Sequence, residues 1–95
     1  MSAFSANSNN MRETANDIAA KEVAYANTVS EIEAQINHLG QLWNSPVYDQ
    51  FKQLFNEKLP SLNEGDQLMK EFKQRLERAA DSFDEAQRNI MSNFN

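Results

Sequence analysis

The sequence predicts an all-α protein: a two-helix antiparallel hairpin with a kinked second helix, dimerising into a four-helix bundle. Three observations carry this reading. Only 2 of the 95 residues are glycine and 2 are proline, so little of the chain is available for turns. Apolar residues step by four and three along both halves, the period of long helices lying along a partner. The halves meet at Leu39-Gly40-Gln41-Leu42-Trp43-Asn44-Ser45-Pro46. There Ser45 suits a helix N-cap and Pro46 the first helical position, whose N–H has no partner inside a helix.

Taken in order, residues 1–9 are rich in Ser and Asn and are expected to form a flexible arm carrying Phe4. A first helix is expected over 10–42, with Asn10 as cap and Glu13 reaching back to it as in a capping box. Its seam runs Met11, Ala15, Ile18, Glu22, Tyr25, Val29, Ile32, Ile36, Leu39 and Trp43. Glu22 is the one polar member. At 1.5 Å per residue this helix spans roughly 50 Å. Ala19, Val23 and Ala26 lie beside the seam, and their small size permits close approach of a further helix. Gly40 offers a weak point for ending the helix.

The bend is expected at 43–45. Trp43, the only tryptophan, is read either as core at a helix end or as a recognition residue. A second helix over 46–91 follows, with the seam Tyr48, Phe51, Phe55, Lys58, Leu62, Gly65, Met69, Phe72, Leu76, Ala79, Phe83, Ala86 and Ile90. Pro60 and Gly65 disfavour helix, and with Asn63 and Glu64 they could mark a loop. A loop gives no reason for the seam to keep step across it, so one kinked helix is expected. Val47, Leu54 and Leu68 form a second apolar row. Either they broaden the contact within the hairpin, or, with Ala19, Val23 and Ala26, they form a dimer interface. Tyr25, Ile32, Ile36, Phe51, Phe55, Phe72 and Leu76 are expected to hold the hairpin, and 92–95 to be a tail.

A chain this short buries only about 60–65% of its unfolded surface, so a lone hairpin would be marginal and association is a physical expectation. The net charge of −5 disfavours binding to nucleic acid or an anionic membrane surface. The basic residues of the second half alternate with acids at i,i+4, as in Glu71 with Arg75, Lys73 with Glu77 and Asp84 with Arg88, which is the pattern of a solvated helix face. Without cysteine there is neither disulfide nor thiolate chemistry. His38 is the only histidine and has Gln35 where a di-iron bundle would need Glu, so no metal is expected. No phosphate loop, nucleophile elbow or HExxH pattern is present, so no catalytic or cofactor-binding residue is assigned. The first residues have neither a basic start nor an apolar core, hence no cleavable signal is expected.

These parts resemble those of a known family. Two long helices in about a hundred residues, the bend Trp43-Asn44-Ser45 within Gln41-Leu42-Trp43-Asn44-Ser45-Pro46-Val47-Tyr48-Asp49-Gln50-Phe51, and Phe55-Asn56-Glu57 with Pro60 look like the WXG (Esx, ESAT-like) proteins, above all those of Firmicutes. Those are small helical hairpins exported by type VII secretion systems. Ser45 stands where the family has glycine, so the turn must avoid a left-handed backbone there or use Ser45 as the cap. The resemblance implies a non-enzymatic substrate, made in the cytoplasm, secreted without a cleavable signal as a folded dimer, and serving as a secretion partner or chaperone for another hairpin or toxin. It implies as partners a second copy of the chain (a homodimer), another hairpin of the family or the helical N-terminal region of a toxin, together with the secretion ATPase. The family's export signal, Tyr-X-X-X-Asp or Glu, has Phe83 and Gln87 as its nearest equivalents here, and core packing also accounts for Phe83. The alternative is a cytosolic coiled-coil adaptor or regulatory protein.

Overall fold

The computed structural model describes residues 7–93. Residues 1–6, 94 and 95, which hold most of the expected arm and half of the expected tail, lie outside the described residues. Two helices, α1 over Ser8–Leu42 and α2 over Pro46–Asn93, fold back on each other into a rod of 76 × 22 × 19 Å. The all-α hairpin expected from the two seams is the architecture observed.

α1 starts two residues earlier than the sequence indicates. Asn7, not Asn10, is the cap: its backbone is extended (φ −141°, ψ 169°) and its Oδ1 accepts from the Asn10 N–H at 2.9 Å. Every residue from Asn7 to Asn10 is a competent cap, and starting at Asn7 lets the added turn bring Ser8 beside Asp84 on α2. At the other end Gly40 does not stop the helix. α1 continues to Leu42, and Trp43 leaves it with an extended backbone (φ −132°, ψ 92°) while its N–H still donates to the Leu39 carbonyl at 2.9 Å. Ser45 then caps α2, its Oγ accepting from the Tyr48 N–H at 3.2 Å. No described residue has a positive φ, so serine in the glycine position carries no backbone strain.

α2 runs unbroken through Pro60 and Gly65 and on to Asn93, past the expected end at 91. Pro60 leaves one carbonyl of the preceding turn without its helical donor, and the site is exposed, where water replaces the missing N–H.

Two reciprocal contacts fix how the arms align. Tyr48 of α2 lies over Gly40 of α1 and donates its hydroxyl proton to the Ile36 carbonyl at 2.8 Å. Tyr25 of α1 lies over Gly65 of α2 and donates to the Leu62 carbonyl at 2.9 Å. Each glycine lets an aromatic ring of the other helix approach the backbone, and each hydroxyl finds a carbonyl within the same turn. The chain's only two glycines and only two tyrosines are all used this way.

Candidate interaction surface

What α2 turns toward α1 is only half of its apolar seam. From Phe55 onward the covered residues include Phe55, Leu59, Leu62, Asp66, Met69, Lys73, Leu76, Ala80 and Phe83. Tyr48, Phe55, Leu62, Met69, Leu76 and Phe83 of the expected seam are among the covered side chains. Its alternate members Phe51, Lys58, Phe72 and Ala79 are exposed, and for Lys58, Phe72 and Ala79 the covered place is taken by the residue one position on, about 100° further round the helix. Of the side chains expected to hold the hairpin, Ile36 is buried and Tyr25, Phe55 and Leu76 are half-buried. Ile32, Phe51 and Phe72 are exposed, contrary to expectation. The seam points along the bisector between α1 and the open side of α2, so α1 alone covers one of its two rows.

The hairpin therefore has two unlike flanks. On one, Lys70 bridges the seam's single acid to α2: its Nζ lies 3.4 Å from Glu22 Oε1 and 3.4 Å from Asp66 Oδ2. Asp66 first and Glu22 second hold the Lys70 ammonium above its ordinary pKa. Glu22 is thereby tolerated at 9% exposure, because its charge is paired rather than stranded. Ala19 and Val23 share a shallow dent on this flank with Met69, Lys70 and Lys73, and Ala26 lies alongside Glu33, Asn63 and Asp66.

The other flank is apolar. Phe51, Leu54, Leu68 and Phe72 are 47%, 51%, 48% and 48% exposed. Val47 is exposed at their head. Ile32 and Leu39 of α1 join them, since nine and sixteen residues beyond Val23 bring them to nearly the opposite side of their helix. Half-exposure of so many large side chains along one face is unusual for a monomer and marks an interaction surface. The six residues expected at an interface are thus not brought together: Val47, Leu54 and Leu68 lie on the apolar flank, Ala19, Val23 and Ala26 on the charged one.

At the closed end Trp43 meets Tyr48 edge to face, ring centroids 6.1 Å apart at 63°, and keeps 40% of its surface exposed. Asn44 is exposed beside it. At the open end Phe83 is half-buried in the covered row, and Gln87, one turn on, is exposed. There Arg12 reaches across to Asp81 at 2.9 Å and Asp84 at 2.8 Å. The Ser8 hydroxyl first and the Arg12 guanidinium second hold the Asp84 carboxyl below its ordinary 3.8. A carboxyl whose pKa is depressed on folding stabilises the fold above its unfolded value and stops doing so as the pH falls through the folded one. Accordingly, Asp84→Asn should lower the thermal midpoint at neutral pH, and its difference from the parent chain should vanish as the pH is taken from 4 downward. A difference that persists at pH 2 would show that the charge of Asp84 is not what ties the ends.

Among the described residues no group of His, Asp and Glu is arranged to hold a metal ion, and no helix is long and apolar enough to cross a membrane. Sequence reasoning missed the structural role of Gly40 and Gly65; the equal numbers of glycine and tyrosine, one of each per arm, were the available signal. No curated protein and no solved structure compared with the chain matches it. A family model described as proteins of 100 residues with WXG matches residues 3–88, nearly the whole length, and the chain belongs to this WXG100 family.

Proposed function

We propose that the chain is a small non-enzymatic substrate of a type VII secretion system, exported as a folded pair of hairpins, with one hairpin acting as secretion partner for the other. Membership of the WXG100 family, whose proteins are secreted by this route, supports the export. The observation that carries the pairing is the uncovered half of the α2 seam. A single hairpin leaves Phe51 and Phe72 half in water, and a second hairpin laid on that flank completes a four-helix bundle in which both rows face the centre. The interface then consists of Val47, Leu54 and Leu68 with Phe51, Phe72, Ile32 and Leu39, and Ala19, Val23 and Ala26 remain on the outer flank.

Mechanistically, such a protein works by presenting surface. Trp43, Asn44 and Ser45 at the closed end, and Phe83 with Gln87 at the open end, are the segments offered to the secretion ATPase. Helical spacing puts Phe83 and Gln87 on one face. The test is export itself: the protein should accumulate in culture medium of the native host and be retained in cells lacking the secretion ATPase. Retention in both strains would instead mark a cytosolic adaptor.

A further inference from the structure

Every seventh residue of α2 from Phe55 belongs to the row that α1 covers, and Phe55, Leu62, Met69, Leu76 and Phe83 are all half-buried. The next step of that row is Ile90, which is 51% exposed. Its surroundings differ because α1 is too short to reach it. α1 begins at Ser8, beside Asp84, so residues 85–92 of α2 run on past it and all of them are exposed. Met91, next to Ile90, is 68% exposed. The overhang from Asp84 to Asn93 is about 14 Å of helix, and Ile90 stands about 27 Å beyond Phe72, the last large side chain of the apolar flank.

The chain itself supplies something to lay on this end. It leaves α1 at Asn7 with an extended backbone (φ −141°, ψ 169°), at the same end of the rod as the overhang. Before Asn7 stand Met1-Ser2-Ala3-Phe4-Ser5-Ala6, with no charged side chain and with Phe4 as the one aromatic. The lengths agree. Three extended residues from Asn7 back to Phe4 reach about 10 Å, and six helical residues from Asp84 on to Ile90 rise about 9 Å. We propose that residues 1–6 fold over the overhang and seat Phe4 on Ile90 and Met91, the place a longer α1 would fill. An aromatic ring covers the isoleucine and meets the Met91 thioether, a favourable neighbour for it. Gln87 lies one turn before Ile90 and Met91 on the same face, so the segment covers it too. On the reading that Phe83 and Gln87 are offered to the secretion ATPase, the segment is a cover that the ATPase must displace.

The chain has no cysteine, so a spin label can be placed on Ser2→Cys alone. In the isotope-labelled protein it should broaden the amide signals of residues 87–93, and adding Phe4→Ala should remove most of that broadening. The same substitution withdraws the cover from half of an isoleucine, so amide exchange at 89–93 should quicken by about fivefold. Equal broadening with and without Phe4→Ala would mean a segment held only by its tether at Asn7, which overturns the proposal. So would broadening that arises in a mixture of spin-labelled and isotope-labelled chains, because a neighbouring copy would then lie on the overhang. Export reads the cover: in the native host Phe4→Ala should put more protein into the medium than the parent chain. Equal or smaller amounts, with the contact present in the spectra, would overturn the role as a cover. If neither protein leaves the cell, the export reading fails and the cover with it, while the spectra still decide whether Phe4 sits on Ile90.

Discussion

Replacing Leu68 with lysine should weaken association by on the order of a hundredfold while leaving each hairpin folded. Leu68 is half exposed in the single hairpin, so the substitution removes little of what holds α1 to α2. The introduced ammonium also stands one turn beyond Glu64, a favourable acid-before-base spacing, so the helix itself is not weakened. In the paired state the remaining half of the leucine is buried, worth about 1 kcal/mol, and a lysine in its place must keep its amine hydrated at the edge of an apolar contact. In a pair of identical hairpins the change occurs twice, and the two lost leucine contacts with the two misplaced amines bring the loss to about 3 kcal/mol, or roughly two decades in Kd. Sedimentation equilibrium gives the dissociation constant and far-UV circular dichroism the helicity. Val23→Lys is the matched control on the charged flank and should leave the mass unchanged. If Val23→Lys dissociates the pair and Leu68→Lys does not, the interface is on the charged flank.

The contrast between those two residues shows where a sequence stops being informative. Two in-phase seams and the Ser45-Pro46 start are enough for the hairpin, because a helical period and a cap are local properties. The seam's phase says where apolar groups point but not which neighbour they meet. The seam of α2 is wider than one neighbouring helix covers, which is why Phe51 and Phe72 read as hairpin core yet stand open in one chain. The start of α1 is misplaced for a different reason: Asn7, Ser8, Asn9 and Asn10 are equivalent as caps, and the choice among them depends on Ser8 and Arg12 reaching Asp84 more than seventy residues away. Glu22 reads as an interruption for the same cause, since its partner Lys70 comes from the other arm.

Gly40 gives the other large effect, with a sign opposite to the usual one. In an ordinary exposed helix, glycine to alanine stabilises by about 1 kcal/mol, because alanine gives up less backbone entropy. Gly40 is inside α1 with an ordinary helical backbone, so propensity alone favours alanine. A Cβ there, however, would lie 2.6 Å from Cζ and 2.8 Å from Cε1 of Tyr48, and closer still to its hydroxyl. That ring is buried, tied to the Ile36 carbonyl and braced by Trp43, so it has no free direction in which to yield. Overpacking of this kind costs about 1–3 kcal/mol, and at about 4–8 °C per kcal/mol for a domain of this size the thermal midpoint of Gly40→Ala should fall clearly below that of the parent. Gly65→Ala separates ring clash from helix propensity. Its Cβ would stand 3.1 Å from the Tyr25 hydroxyl and 3.6 Å from Cζ, a misfit that a half-buried ring relieves by shifting a few tenths of an ångström. It should therefore be close to neutral. A rise in midpoint for both variants would mean that helix propensity, rather than tyrosine seated on glycine, governs the alignment of the two arms.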